Sequence, residues 1–350
     1  MRIAVLYPKS QYAAWSMSNG LVTTLRRMGH EVVPGEMPGA GAEMPQRVFE
    51  GIKAQLPALD TLKKCDAILV SGPEHIAPWL DAVYTKYEWK NIGVPKAAWW
   101  HETMHRADYT LDWDSVSMWA DENFVPAYQD AEWLDQEMFG KGHVHWLPFG
   151  VDTEMFRPCR LGDREDNVID KHGRLNYEKT WPIAFVGLVY EKRGRFLQAL
   201  SQHDHPPIRI GNVSINDLSG YCSEESVRRL VENYRRVKVF FNLPAMSALL
   251  VTKIYEVMAC GTFLLTPQLS ADRGISKNQE AFESGRHLVY YRSSNLPYVA
   301  QLLREWPSDE KAEERERIAA EGCREVHEKH SLEKRLTVIL EKIGVRETVQ

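Results

Sequence analysis

Apolar and polar positions alternate along this chain in short blocks that read as strand, helix, strand. Residues 2–7 (RIAVLY) are an apolar run of strand length, and a loop from Pro8 to Asn19 follows. Gly20–Met28 then places Leu21, Leu25 and Met28 on one helical face. Gly29 stops that helix, and His30–Pro34 (HEVVP) is the next strand. A β-α-β opening of this kind predicts a parallel sheet. Further strands are expected at Ala67–Ser71, Lys96–Trp100, Asn123–Pro126 and Val144–Leu147, with helical patterns between them.

Pro148, Gly150 and Pro158 break any regular element, which marks a hinge. A polar stretch, Arg160–Tyr177, reads as a surface insertion. The alternation then resumes with strands at Trp181–Gly187, Ile208–Ile210, Val237–Asn242, Thr262–Thr266 and Leu288–Tyr291. A helix is expected from Arg195, and a last one over Leu332–Ile343. The pattern predicts an α/β fold of two doubly wound domains. The first spans 1–148, the hinge 149–158 and the second domain 159–330, with 331–350 as a closing helical segment.

Length and composition agree with two cores: 350 residues, 44% hydrophobic and 26% charged. The apolar runs fall far short of the ~20 residues that cross a bilayer. MRIAVLYP reads as a strand and lacks the apolar region and cleavage site of a signal peptide. Cys65, Cys159, Cys222, Cys260 and Cys323 are odd in number and form no CxxC pair, so reduced thiols in a cytoplasmic protein are expected. The net charge of −5 argues against a general polyanion binder. Residues 1–150 are the acidic part, with 13 Lys+Arg against 19 Asp+Glu. The basic runs at Lys192–Arg195 and Arg235–Lys238 read more readily as solvated faces than as nucleic-acid sites.

Ligands in open α/β sheets bind beyond the carboxyl ends of strands, so candidate chemistry is sought there. Residues 253–267, KIYEVMACGTFLLTP, carry the densest set. Lys253 and Glu256 stand one helical turn apart, on one face. A cation there suits a phosphate, and a carboxylate can accept both protons of a ribose or sugar diol. A surface ion pair would show the same spacing. Gly187 ends a strand, with Arg193 and Arg195 shortly after, where cations would stabilise a leaving diphosphate. Asn242 ends another strand, with an amide able to donate and accept. Thr252 and Thr262 offer hydroxyls.

In the first domain, His101 and Glu102 follow strand KAAWW at a carboxyl end, where Glu102 could act as a base; a lone His beside two Trp would equally be a packed, satisfied side chain. Ser16, Ser18 and Asn19 lie before the first helix and could face phosphates, or simply cap it. No metal-ligand set is evident: His101-x3-His105 lacks a third ligand, and His143-x-His145 and His203-x-His205 sit in strand and loop patterns. Most of the eleven tryptophans are expected in the core, and residues 101–119 are expected to form a loop over the cleft.

The string N-L-P…K-I-Y-E-V-M-A-C-G-T resembles the donor-binding segment of GT-B glycosyltransferases, most closely the CgeB-like (spore maturation protein) branch. FESGRHLVYYRS and RIAAEGCREVHEKHSLEKRL resemble later segments of that family, and WLPFGVDTEMFRP resembles its interdomain linker. The resemblance covers roughly residues 180–340. It implies a GT-B fold, two Rossmann-like domains facing across a cleft, with the closing helix crossing back onto the first. It implies a metal-independent glycosyltransferase, a hexosyltransferase, with no cofactor and a UDP-sugar as donor substrate. His101, Glu102, Arg193 and Lys253 would be catalytic. Ser16, Asn19, Gly187, Asn242, Glu256 and Thr262 would join Arg193 and Lys253 in binding the nucleotide sugar. Ala248 stands where the large retaining family has a second Glu, so no stereochemical outcome carries over. The acceptor hydroxyl would belong to a saccharide, protein or small molecule, or to a hydroxymethylated DNA base. A GT-B epimerase or a sugar-nucleotide binding protein is the alternative.

Overall fold

The computed structural model of the chain describes residues 1–9, 15–38, 56–101, 119–137, 142–159, 168–169, 175–176, 179–187, 189–211, 224–244, 249–269 and 277–344. Six strands form the first sheet: β1 (Arg2–Lys9), β2 (Glu31–Pro38), β3 (Ala67–Ser71), β4 (Lys96–Trp99), β5 (Glu122–Val125) and β6 (Val144–Trp146). Their order is β2-β1-β3-β4-β5-β6, with every pairing parallel. A short antiparallel ladder joins β7 (Val168–Ile169) to β8 (Leu175–Asn176). The second sheet holds β9 (Trp181–Val186), β10 (Arg209–Gly211), β11 (Val237–Phe241), β12 (Phe263–Pro267) and β13 (Val289–Tyr291). It is also parallel, in the order β10-β9-β11-β12-β13.

Parallel strands covered on both faces must be apolar on both, and β3 and β4 are buried at every position. The period of two sorts their side chains cleanly. Ile3, Val5, Leu69 and Trp99 pack into one core, and Ala4, Leu6, Val70 and Trp100 into the other. Trp89, Trp99, Trp100 and Trp119 are fully buried core residues, whereas Trp133 stands exposed.

In both sheets the strand order reverses beside the first strand, between β1 and β3 and between β9 and β11. Such switch points open a crevice at the carboxyl ends of the strands. Gly187 and Asn242 sit at the second crevice, and Ser71 and Gly72 at the first.

The chain passes between domains twice at one place. Val151 bridges Ser331, with Val151 N–H donating to His330 O (3.1 Å) and Leu332 N–H to Val151 O (2.8 Å). The helix Leu332–Lys342, capped by Ser331, then lies against the helix Asn19–Arg27, where Arg27 meets Glu333 at 3.0 Å. Asp152, 1% exposed, accepts from Arg27 (2.6 Å) and from Trp15 Nε1 (3.0 Å), tying the linker to the first domain. Among the described residues no helix is long and apolar enough to cross a membrane. Cys65, Cys260 and Cys323 are free thiols.

Candidate active site

The site in the second domain is built on a glycine. Gly187 ends β9 with φ +147°, a backbone conformation open to glycine and strained for other residues. A Cβ placed there would overlap the Lys253 ammonium. The missing side chain therefore lets that ammonium lie against the backbone at the switch point. Lys253 is the second residue of the helix Thr252–Ala259, which starts just beyond β11. Its Nζ lies 4.6 Å from the centre of the Phe185 ring and makes no hydrogen bond among the described residues. Burial pulls its pKa down to about 7, with Arg193 adding to the shift and Glu256 opposing it.

Arg193, 8% exposed, shares the same ring. Its guanidinium lies 5.0 Å from the Phe185 centroid and 4.5 Å from that of Tyr190, and its Nε donates to Pro244 O at 3.2 Å. Burial lowers its pKa too. Two cations thus stand close together in apolar surroundings, and each would gain from an anion brought between them.

Glu256 is buried in the second turn of the same helix. Tyr234 donates to its Oε2 at 3.3 Å. Burial pushes its pKa up to about 7, against the pull of Lys253 and of the Tyr234 hydrogen bond. Lys253 and Glu256 share a face, as their spacing predicts, without closing a direct ion pair.

The structure gives other expected site residues different surroundings. Asn242 directs its side-chain N–H to Thr266 Oγ1 (3.0 Å), and its backbone carbonyl accepts from the Tyr291 hydroxyl (2.7 Å). Thr262 stands at the amino edge of the sheet, before β12, where its hydroxyl donates to Tyr234 O at 2.8 Å. Ser16 is fully buried and accepts from the Asp152 N–H at 3.0 Å, so it secures the linker. Asn19 opens the first helix, and its Oδ1 accepts from the Tyr7 hydroxyl at 3.0 Å. Ser18 makes no side-chain cap there. Arg195 pairs with Glu191 on the exposed side of the helix Glu191–Leu200.

In the first domain His101 follows β4 as expected. Its Nε2 lies 2.8 Å from Ser71 Oγ, and its backbone N–H donates to Glu74 Oε1 at 2.6 Å. Burial and the neighbouring His75 hold its pKa well below the ordinary value, so the ring is neutral. Glu102, His105, Ala248, Cys222, residues 11–14 and most of the 101–119 loop lie outside the described residues. Phe185, Tyr190, Tyr234, Ser71 and Glu74 escaped the sequence reading. Ser71 and Glu74 carried a signal, since a Gly-Pro pair directly follows strand AILVS.

The two clusters crown the carboxyl edges of the two sheets, one cationic and one built on imidazole. Residues 192–341 match the family model described as "Glycosyl transferase-like". No curated protein sequence matches the chain. Among solved structures it is similar to Anabaena HepE in complex with UDP and glucose, with TM-score 0.64, 10% identity, and 99% and 100% of the two chains covered. It is similar to sucrose-phosphate synthase from Thermosynechococcus elongatus, with TM-score 0.61, 12% identity, and 98% and 99% covered. It is also similar to an alpha-glucosyltransferase in complex with UDP and a 13-mer DNA containing an HMU base, with TM-score 0.61, 11% identity, and 98% and 99% covered. The chain has the GT-B glycosyltransferase fold, and its second domain carries the match to the glycosyl transferase-like family.

Proposed function

We propose that this protein transfers a sugar, a hexose, from a UDP-sugar to a hydroxyl acceptor. The second domain holds the nucleotide and the first domain the acceptor. One observation carries the reading. The Lys253 ammonium, without a hydrogen-bond acceptor among the described residues, lies against Gly187 beside Arg193 and one turn from Glu256.

As the glycosidic bond breaks, negative charge grows on the departing diphosphate. Lys253 and Arg193 stabilise that charge in surroundings where an ion interaction is stronger than in water. Glu256 accepts the ribose hydroxyls. His101, neutral and held by Ser71, faces the sugar, with Glu102 as the expected base. Charge neutralisation at the diphosphate falls to side chains, so that step needs no metal. Within the GT-B enzymes we place the chain in the CgeB-like branch, on the strength of K-I-Y-E-V-M-A-C-G.

A modified DNA base is the second acceptor considered, since one protein of the same fold was captured with such DNA. The acidic first domain weighs toward a saccharide, protein or small-molecule hydroxyl.

Glu256→Ala, assayed by calorimetry with UDP, should weaken binding by ~1.5–3 kcal/mol, roughly 10- to 150-fold, in a protein that still unfolds cooperatively. Unchanged affinity in a folded variant would sink the assignment. Incubation with nucleotide sugars, with and without hydroxymethylated DNA, then identifies the acceptor by its mass gain. Isomerised sugar nucleotide with no acceptor would mean an epimerase.

A further inference from the structure

The geometry points to a second ligand site, in the first domain: we propose that Glu74, His75 and His101 bind one divalent first-row transition metal ion. One donor atom from each residue lies within 4.8 Å of the other two. Bond lengths of ~2.0–2.2 Å to a tetrahedral zinc put two of its ligands about 3.4 Å apart, so side-chain rotations that draw the donors together close the set. Two imidazoles and a carboxylate suit zinc, cobalt or manganese, and they leave coordination positions open.

The scaffold supports this. Glu74 and His75 stand in the first turn of the helix Pro73–Val83, and His101 lies just beyond β4. The two elements are tied where they meet, because Gly72 N–H donates to Trp99 O at 2.7 Å. Glu74 Oε1 holds the backbone N–H of His101 and so fixes the carboxylate's orientation. Ser71 donates its one hydroxyl proton to Met17 O at 2.8 Å. His101 Nε2 therefore gives its own proton to Ser71, and the lone pair stands on Nδ1. Metal-bound histidines are held in this way by a hydrogen bond at the second nitrogen.

Gly72, with φ +61°, keeps the space between the rings open. A Cβ there would come within 2.7 Å of His101 Nδ1 and 3.2 Å of His75 Cδ2. The residues are scattered in sequence at 74, 75 and 101, which is why spacing alone shows no metal set. The site lies in the first domain, apart from Lys253 and Arg193, but it shares His101 with the proposed sugar-facing group; metal binding itself is read without any transfer assay.

The test titrates the intact, chelator-treated protein with cobalt(II) and follows its visible ligand-field absorption, with zinc as competitor. One equivalent per chain is expected. His75→Ala and Glu74→Gln should abolish it, and Ser71→Ala should weaken it about 10- to 100-fold while circular dichroism stays unchanged. A second pair of histidines offers an internal control, since His143 and His145 each meet Glu122, at 3.3 and 2.7 Å. Absorption that survives His75→Ala but is lost in His143→Ala overturns the proposal. Absence of stoichiometric binding to the unmodified protein also overturns it.

Discussion

The Lys253 ammonium rests 4.6 Å from the centre of the Phe185 ring, one turn of helix away from a carboxylate that the same apolar surroundings disfavour. Burial drives both groups toward neutrality from opposite sides, and both titrate at about 7. Donor binding needs Lys253 protonated and Glu256 ionised. UDP affinity should therefore peak near pH 7. It should fall toward acid as Glu256 takes up a proton and toward alkali as Lys253 loses one. Lys253→Arg should remove the alkaline limb, because a guanidinium stays charged. Calorimetric titrations over about 1.5–2 pH units on either side of that midpoint check this. A flat profile in the unmodified protein would contradict it.

The same two groups bear on stability, with opposite signs. Lys253 has a folded pKa below its unfolded value, so its penalty is full below about 7 and is relieved as pH rises toward 10.5. Glu256 has a folded pKa above its unfolded value, so stability falls as pH rises from 4.5 to about 7. UDP should therefore raise the melting temperature most near neutrality, where the empty site is least favourable. A ligand-induced shift that grows steadily toward pH 5 would argue against this pairing.

Gly187→Ala puts a methyl group where the Lys253 ammonium lies and forces alanine to φ +147°. The expected result is a loss of UDP affinity of tenfold or more, with a strain cost of about 1–3 kcal/mol in stability. Equilibrium urea unfolding and UDP titration of one sample separate the two effects. Wild-type affinity would show that the ammonium need not lie against this glycine.

Tyr234→Phe removes the hydroxyl that favours the ionised form of Glu256. Glu256 should then titrate at higher pH, and UDP affinity at pH 7 should drop by roughly fivefold, about 1 kcal/mol, recovering in more alkaline buffer. A loss that is the same at every pH would point to packing rather than to the hydrogen bond.

Asp152→Ala leaves Arg27 and Trp15 Nε1 without their shared acceptor at the linker. Arg27 is partly solvated, so about 1–3 kcal/mol of stability should be lost. Chemical denaturation measures this directly. A loss under half a kcal/mol would mean that water replaces the carboxylate at no cost.

Most strand positions were legible to within a residue or two, because strands buried on both faces are written as continuous apolar runs; β2, however, runs four residues past the expected Pro34, and β7 and β8 lie in the stretch read as a surface insertion. β3 is AILVS in sequence and in structure. The helix after β9 begins at Glu191, four residues before the expected Arg195. Gly194 lies inside the helix and faces open space, where the lack of a side chain costs only its helix propensity. The face shared by Lys253 and Glu256 was also legible, since helical spacing alone sets it. The burial of Ser16 and Thr262 was not, because their partners Asp152 and Tyr234 are distant in sequence. The union of Glu74 with His101 was hidden for the same reason: it depends on β3 and β4 lying side by side.

The return of the last helix to the first domain also sets an order of assembly on the ribosome. Residues 332–342 emerge after every strand of the second sheet, yet they cover the helix Asn19–Arg27 at the opposite end of the sequence. The earlier-made domain must wait, with that face uncovered, while the later-made one is synthesised and gathers its core. Vectorial synthesis therefore leaves the first domain to be sealed last, and a chain stalled before residue 332 would expose an apolar surface for chaperones to hold.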